Sequence, residues 1–162
     1  MKTQNNTIVS AHAQDAALIV WEAKYATNID IIDNQHKELV TLTNQLYQAC
    51  LSGDEVVGAV FKEALSRMVE YVRFHFSTES DLLIRINYPN ALEHKTQHDE
   101  LVKKILEAAQ NYRTGRRFVP NSFVRTLKDW VFGHIAYLDK IYASYVVDQK
   151  KKGLLNDQLL IG

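Results

Sequence analysis

The sequence predicts an all-α protein, an up-down-up-down antiparallel four-helix bundle with an irregular N-terminal arm. Three observations predict it. Two prolines and six glycines in 162 residues leave room for long helices. Apolar residues recur at helical spacing in four long segments. Those segments are parted by breaks at Ser52-Gly53, at Tyr88-Pro89 and at Gly115.

Residues 1–17 are polar and aperiodic and are expected to form a mobile tail. The bundle domain is expected over 18–149. Within it, Trp21 to Asp33 looks irregular, and Asp33 is a plausible N-cap for the first helix. That helix should run from about Asn34 to Leu51, with the face Leu39, Val40, Thr43, Leu46, Tyr47 and Cys50. Extended backwards, this face lands on His36. The second helix, from about Glu55 to Asn87, carries a stripe from Val57 through Phe61, Leu65, Met68 and Val72 to Leu82, Leu83 and Ile86. His75 and Glu79 continue that stripe. The third, from about Asn90 as N-cap to the residue before Gly115, buries Leu101, Val102, Ile105 and Tyr112, and stepping back gives His98 and His94. The fourth, from about Asn121 to Lys150, carries Phe123, Leu127, Trp130, Val131, Leu138, Ile141 and Tyr145, with His134 in the same row. Residues 150–162 form a C-terminal tail whose leucines are expected to pack on the bundle or fray.

Composition excludes several function classes. Acidic and basic residues balance at 19 each, so no net field recruits nucleic acid or an anionic membrane. No segment approaches the roughly 20 apolar residues that span a bilayer, so no membrane insertion is expected. The N-terminus lacks the features of a secretory signal. The single cysteine, Cys50, excludes an internal disulfide and fits a reducing compartment. A cytoplasmic location is therefore expected.

Five of the six histidines fall on buried helical faces; His12, in the tail, does not. A lone core histidine is ordinarily satisfied by a neighbouring carbonyl or carboxylate. Five imidazoles and a carboxylate buried together cost several kcal/mol unless paired, and pairing them with one another leaves lone pairs unsatisfied. A metal satisfies all of them, because neutral imidazole is a good ligand for iron, zinc or copper.

The spacings are His75-x3-Glu79, His94-x3-His98 and His134-x4-Asp139, with His36 single. A spacing of four puts both side chains on one helical face. The spacing of five does not: it places Asp139 about 140° from His134 on an ideal helix. As a ligand, Asp139 would need a local π-type widening of the helix or a sideways reach. Otherwise it is a solvated surface residue beside Lys140. Seven ligands are too many for one ion and suit two. Structural zinc sites take four ligands and favour cysteine, and a bis-histidine haem leaves three histidines over. Bridging carboxylates point to paired iron or manganese ions inside a bundle.

The chain resembles the hemerythrins, specifically the single-domain bacterial ones. The resemblance runs from Ile19 to Tyr145. It rests on Trp21 and Tyr25, "IDNQHKEL" around His36, "HFSTE" at His75–Glu79, "YPNALEHKTQH" at Tyr88–His98 and "WVFGHIAYLDKIY" at Trp130–Tyr142. It implies one iron held by His94, His98 and His134 and a second held by His36 and His75 with an open position. Glu79 and Asp139 would bridge them together with an oxo or hydroxo group. Dioxygen would bind reversibly at the open position, behind a wall for which Trp21, Phe76, Trp130, Val131 and Ile135 are candidates. An oxygen carrier rather than an enzyme is expected, most simply a monomer, with a possible protein partner receiving oxygen or a signal. Two departures bear on tuning: Ser80 follows Glu79 where the family often has a second acid, and Val131 stands where leucine is common.

Two rivals remain. One is a di-iron oxidase, or an enzyme consuming peroxide or nitric oxide. Ferritin-like oxidase sites use Glu-x-x-His, which this chain lacks. The other is an oxygen or redox sensor acting through a partner.

Overall fold

Among the described residues, 17–51, 55–114 and 120–161 of a computed structural model, there are helices and turns but no strands. The tail expected over 1–17 lies outside them except for Ala17. Three rods are continuous: α1 (Asp30–Leu51), α2 (Glu55–Arg85) and α3 (Ala91–Arg113). The fourth is composite: α4 (Pro120–Gly133), a π-helical segment (His134–Leu138) and α5 (Asp139–Lys151) follow one another without a break. The four rods form the expected bundle.

Two helix boundaries differ from the sequence reading. α1 starts at Asp30, so Asp33 is not its N-cap but sits in its first turn. From there its carboxylate accepts hydrogen bonds from Thr27 N (2.7 Å), Thr27 Oγ1 (2.8 Å) and Asn28 N (3.0 Å). A negative charge in the first turn also suits the helix dipole. α2 ends at Arg85 rather than at Asn87. Asn87 instead takes φ +51° and closes a Schellman turn, in which Asn87 N donates to Ile84 O (3.0 Å) and Tyr88 N to Leu83 O (2.9 Å). Asn90 does occupy the N-cap of α3, though its side chain makes no capping bond. Pro120 opens α4, where its missing N–H costs nothing.

The arm is irregular apart from a single 3₁₀ turn at Ala23–Tyr25. It is stitched to the bundle. Ile19 and Asn44 exchange two hydrogen bonds of 2.9 Å, Lys140 Nζ donates to Ala26 O, and Tyr25 packs edge-on against Phe132 at 4.6 Å. At the other terminus Leu160 is buried against Ile29, Ile32 and Leu82, and Arg85 Nη1 donates to Ile161 O.

The core is split in two. A larger cluster includes Leu39, Leu46, Phe61, Met68, Leu101, Ile105, Leu127 and Val131; a smaller one gathers Ile32, Leu82, Leu83, Ile86, Tyr142 and Val146. In every rod the histidines and carboxylates of interest fall where the two clusters meet. A buried polar layer therefore lies between two apolar ones.

The π-helical segment is the widening that a His134-x4-Asp139 pair requires. It has a consequence that the periodicity missed. One extra residue in the turn shifts the phase of everything beyond it by about 100°. Leu138, Ile141 and Tyr145, expected to continue the buried row, are displaced from it, and Ile141 is 49 % exposed. Asp139, Tyr142, Ala143 and Val146 face inward instead.

Candidate metal centre

Each rod contributes to the polar layer: α1 gives His36, α2 His75 and Glu79, α3 His94 and His98, and the composite rod His134 and Asp139. All seven are buried, with Glu79, Asp139 and His36 at 0 % exposure.

The side chains converge as two groups. Ligand atoms of Glu79, His94, His98 and His134 lie within 4.8 Å of one another, as do those of His36, His75 and Glu79. Glu79 belongs to both. Its Oε2 lies 3.0 Å from His98 Nε2, 3.3 Å from His94 Nε2 and 3.8 Å from His75 Nε2. Asp139 spans the groups differently: Oδ1 faces His134 Nε2 (3.1 Å) and Oδ2 faces His36 Nε2 (3.2 Å).

Several of these contacts do not satisfy the groups that make them. Both Asp139 oxygens and Nε2 of His36 and His75 are buried without a hydrogen-bond partner, because the approaches lack hydrogen-bond geometry. Nε2 of His98 and Nε2 of His134 meet at 2.7 Å, and two neutral imidazoles aimed this way would oppose lone pair to lone pair unless one carried a proton there. Each buried unsatisfied polar atom costs about 1–3 kcal/mol. A cation shared among these atoms removes that cost. The donor set, five imidazoles and two carboxylates without a thiolate, fits a metal of the iron or manganese kind. Cys50 stands apart, half-buried, its thiol pushed up to about 11 by burial.

The electrostatics set burial, which favours neutral imidazole, against the neighbouring carboxylates, which favour the charged ring. Burial pushes His75 down to about 3 and lowers His98 as well. Burial acts the same way on His36 and His94, but Asp139 beside the first and Glu79 beside the second win, and both end raised. Burial would raise Glu79, yet hydrogen bonds from His94 and His98 hold it well below the usual carboxylate range. Asp139 is also lowered, with burial and Glu79 outweighed by the neighbouring His134 and His36.

The candidate wall residues divide between the groups. Phe76 stacks on His98 with ring centroids 3.7 Å apart, and Trp130 stacks on His134 at 4.4 Å. Both therefore cover the three-histidine group. Trp21, half-buried in the arm, lies 6.3 Å from His36. Val131 and Ile135 are buried in the larger core cluster.

Two participants were not singled out from sequence. Tyr142, fully buried, donates its hydroxyl proton to Glu79 Oε1 at 2.5 Å. Gln35, beside His36, has Oε1 2.9 Å from His75 Nδ1. Tyr142 stands three residues after Asp139, a helical neighbour, and was a readable candidate once Asp139 was taken to face inward. Gln35 offered no such signal.

Fold and site together define a helical-bundle protein built around a buried histidine–carboxylate centre able to hold a metal ion. The Hemerythrin HHE cation binding domain matches residues 27–146, and the chain belongs to the hemerythrin family. It is 28% identical over 127 residues to the bacteriohemerythrin of Methylococcus capsulatus, a match covering 78% of this chain and 95% of that protein. With the bacteriohemerythrin of Stenotrophomonas maltophilia the identity is 30% over 130 residues, 80% of this chain and 82% of the relative. A crystal structure of wild-type hemerythrin superposes with a TM-score of 0.73 at 28% identity, covering 79% of this chain and 97% of that one. Among the described residues no helix is long and apolar enough to cross a membrane.

Proposed function

We propose that the chain holds two iron ions and binds dioxygen reversibly. The observation that carries this reading is the inequality of the two groups. His94, His98 and His134 surround one position, while His36 and His75 supply two histidines to the other, with Glu79 and Asp139 reaching both. An ion at the second position would have one histidine fewer, and so a coordination place for a further ligand. A reduced iron pair supplies the electrons and the open coordination position that reversible dioxygen binding uses.

The chain's own residues supply the rest. Imidazoles outnumber carboxylates five to two, and such a ligand set disfavours high oxidation states compared with a carboxylate-rich one. The full burial of His36, Glu79 and Asp139 keeps water away from the centre, and solvent access is what controls such sites. Tyr142 holds Glu79 Oε1, which leaves Oε2 turned toward the histidines. The same burial argues against turnover of a larger substrate.

Gas exchange tests the reading. Iron-loaded, reduced protein should take up one dioxygen per chain and release it under argon over repeated cycles. Uptake without release, or steady consumption of dioxygen, peroxide or nitric oxide, would replace the carrier with a redox enzyme.

A further inference from the structure

Behind His75 runs a short polar relay whose bond directions can be worked out. Thr78 Oγ1 donates to the Phe74 carbonyl at 3.1 Å. A hydroxyl has one proton, so toward Gln35, 3.2 Å away, Thr78 can only accept. The amide nitrogen of Gln35 therefore faces Thr78, and its carbonyl oxygen faces His75 Nδ1 at 2.9 Å. An amide oxygen cannot donate, so Nδ1 must carry the ring proton. The lone pair is then left on Nε2, a buried atom without a hydrogen-bond partner on the side of Glu79. Nδ1 of His36, His98 and His134 has no such partner.

We propose that Gln35 is a positioning residue that locks the tautomer and ring orientation of His75 and, as a neutral amide, sets how strongly His75 donates to its metal. The inference rests on the reading of His75 as an iron ligand. An acceptor on the far ring nitrogen raises the basicity of a ligating histidine, and a carboxylate raises it further than an amide. Gln35 thus fixes the ring while leaving the iron at this position easier to keep reduced. Gln35, 6% exposed, shields the His75 end of the relay from solvent, while Thr78 at its outer end is half-buried.

The test compares the iron-loaded wild type with Gln35→Glu, Gln35→Leu and Thr78→Val, reading iron per chain and midpoint potential. Glutamate, an anionic acceptor of the same length, should favour the oxidised pair, moving the oxidised-to-reduced ratio at fixed potential about tenfold, or 59 mV for one electron. Leucine removes the acceptor and should move the potential the opposite way while weakening one of the two irons. Thr78→Val touches no ligand and should follow leucine by a smaller step. Unchanged potentials in a wild type that binds two irons, or shifts of the same sign in both Gln35 variants, would overturn the inference and leave the iron reading standing. A wild type that binds no iron would overturn both.

Discussion

The three-histidine group and the two-histidine group are built from the same residue types but in different surroundings. His98 and His134 are clamped face-on by Phe76 and Trp130. His36 and His75 meet each other edge-on at 4.9 Å, with Phe76 tilted against His75 at 5.4 Å, Trp21 more distant and Gln35 behind. One side is clamped between stacked rings, and the other is held by edge-on and tilted ring contacts, the arm and the single hydrogen bond from His75 Nδ1 to Gln35. A bundle can therefore give two neighbouring positions different chemistry without different ligands, by deciding how many histidines each rod contributes and what braces them.

The largest effect should come from the residue that belongs to both groups. Glu79→Ala is expected to abolish binding of both irons, with metal analysis giving under one iron per chain; two irons retained would break the comparison at its centre. Inserting a second extra residue, an alanine after Ala136 in the π-helical segment, comes next. With one residue more than the widened turn absorbs, α5 should rotate by about 100°, withdraw Asp139 and turn Ile141 inward. Far-UV circular dichroism should stay helical while iron capacity falls, and an insertion variant that loads normally would deny the register set by the bulge its role.

Histidine replacements then sharpen the inequality. His75→Ala leaves its group a single histidine and is expected to cost one iron, whereas His98→Ala leaves two and should weaken binding without halving the stoichiometry. Equal losses in titrations of the two variants would mean that the groups are equivalent. Tyr142→Phe is a smaller change. It orphans Glu79 Oε1 in a buried site, at about 1–3 kcal/mol, and should lower the thermal midpoint of the metal-free protein by several degrees. The smallest effect is expected from Val131→Leu. The extra methylene should slow autoxidation of the oxygenated protein severalfold if Val131 borders the oxygen pocket, and an unchanged rate would remove it from the wall.

The sequence carried the bundle and the convergence because both are periodic. Four apolar stripes with histidines in phase can be read without knowing which rods touch. Even the bulge was foreshadowed, since a spacing of five from His134 to Asp139 does not fit one helical face. Its downstream effect was harder to see. A reading at constant period ran straight through residue 138 and assigned Ile141 to the core in place of Tyr142. Asp33 was misplaced for a related reason, because an acid at a helix start serves as a cap or a first-turn residue according to where the preceding chain lies. Gln35 and Tyr142 find their partners on other rods, 40 and 63 residues away, and no local pattern announces a hydrogen bond across that distance.

The most direct test of two unequal positions is a Mössbauer spectrum of reduced protein loaded with ⁵⁷Fe. The account predicts two ferrous doublets of equal area with distinct parameters, only one of which responds to an added small anion. A single doublet, or two that respond alike, would contradict it.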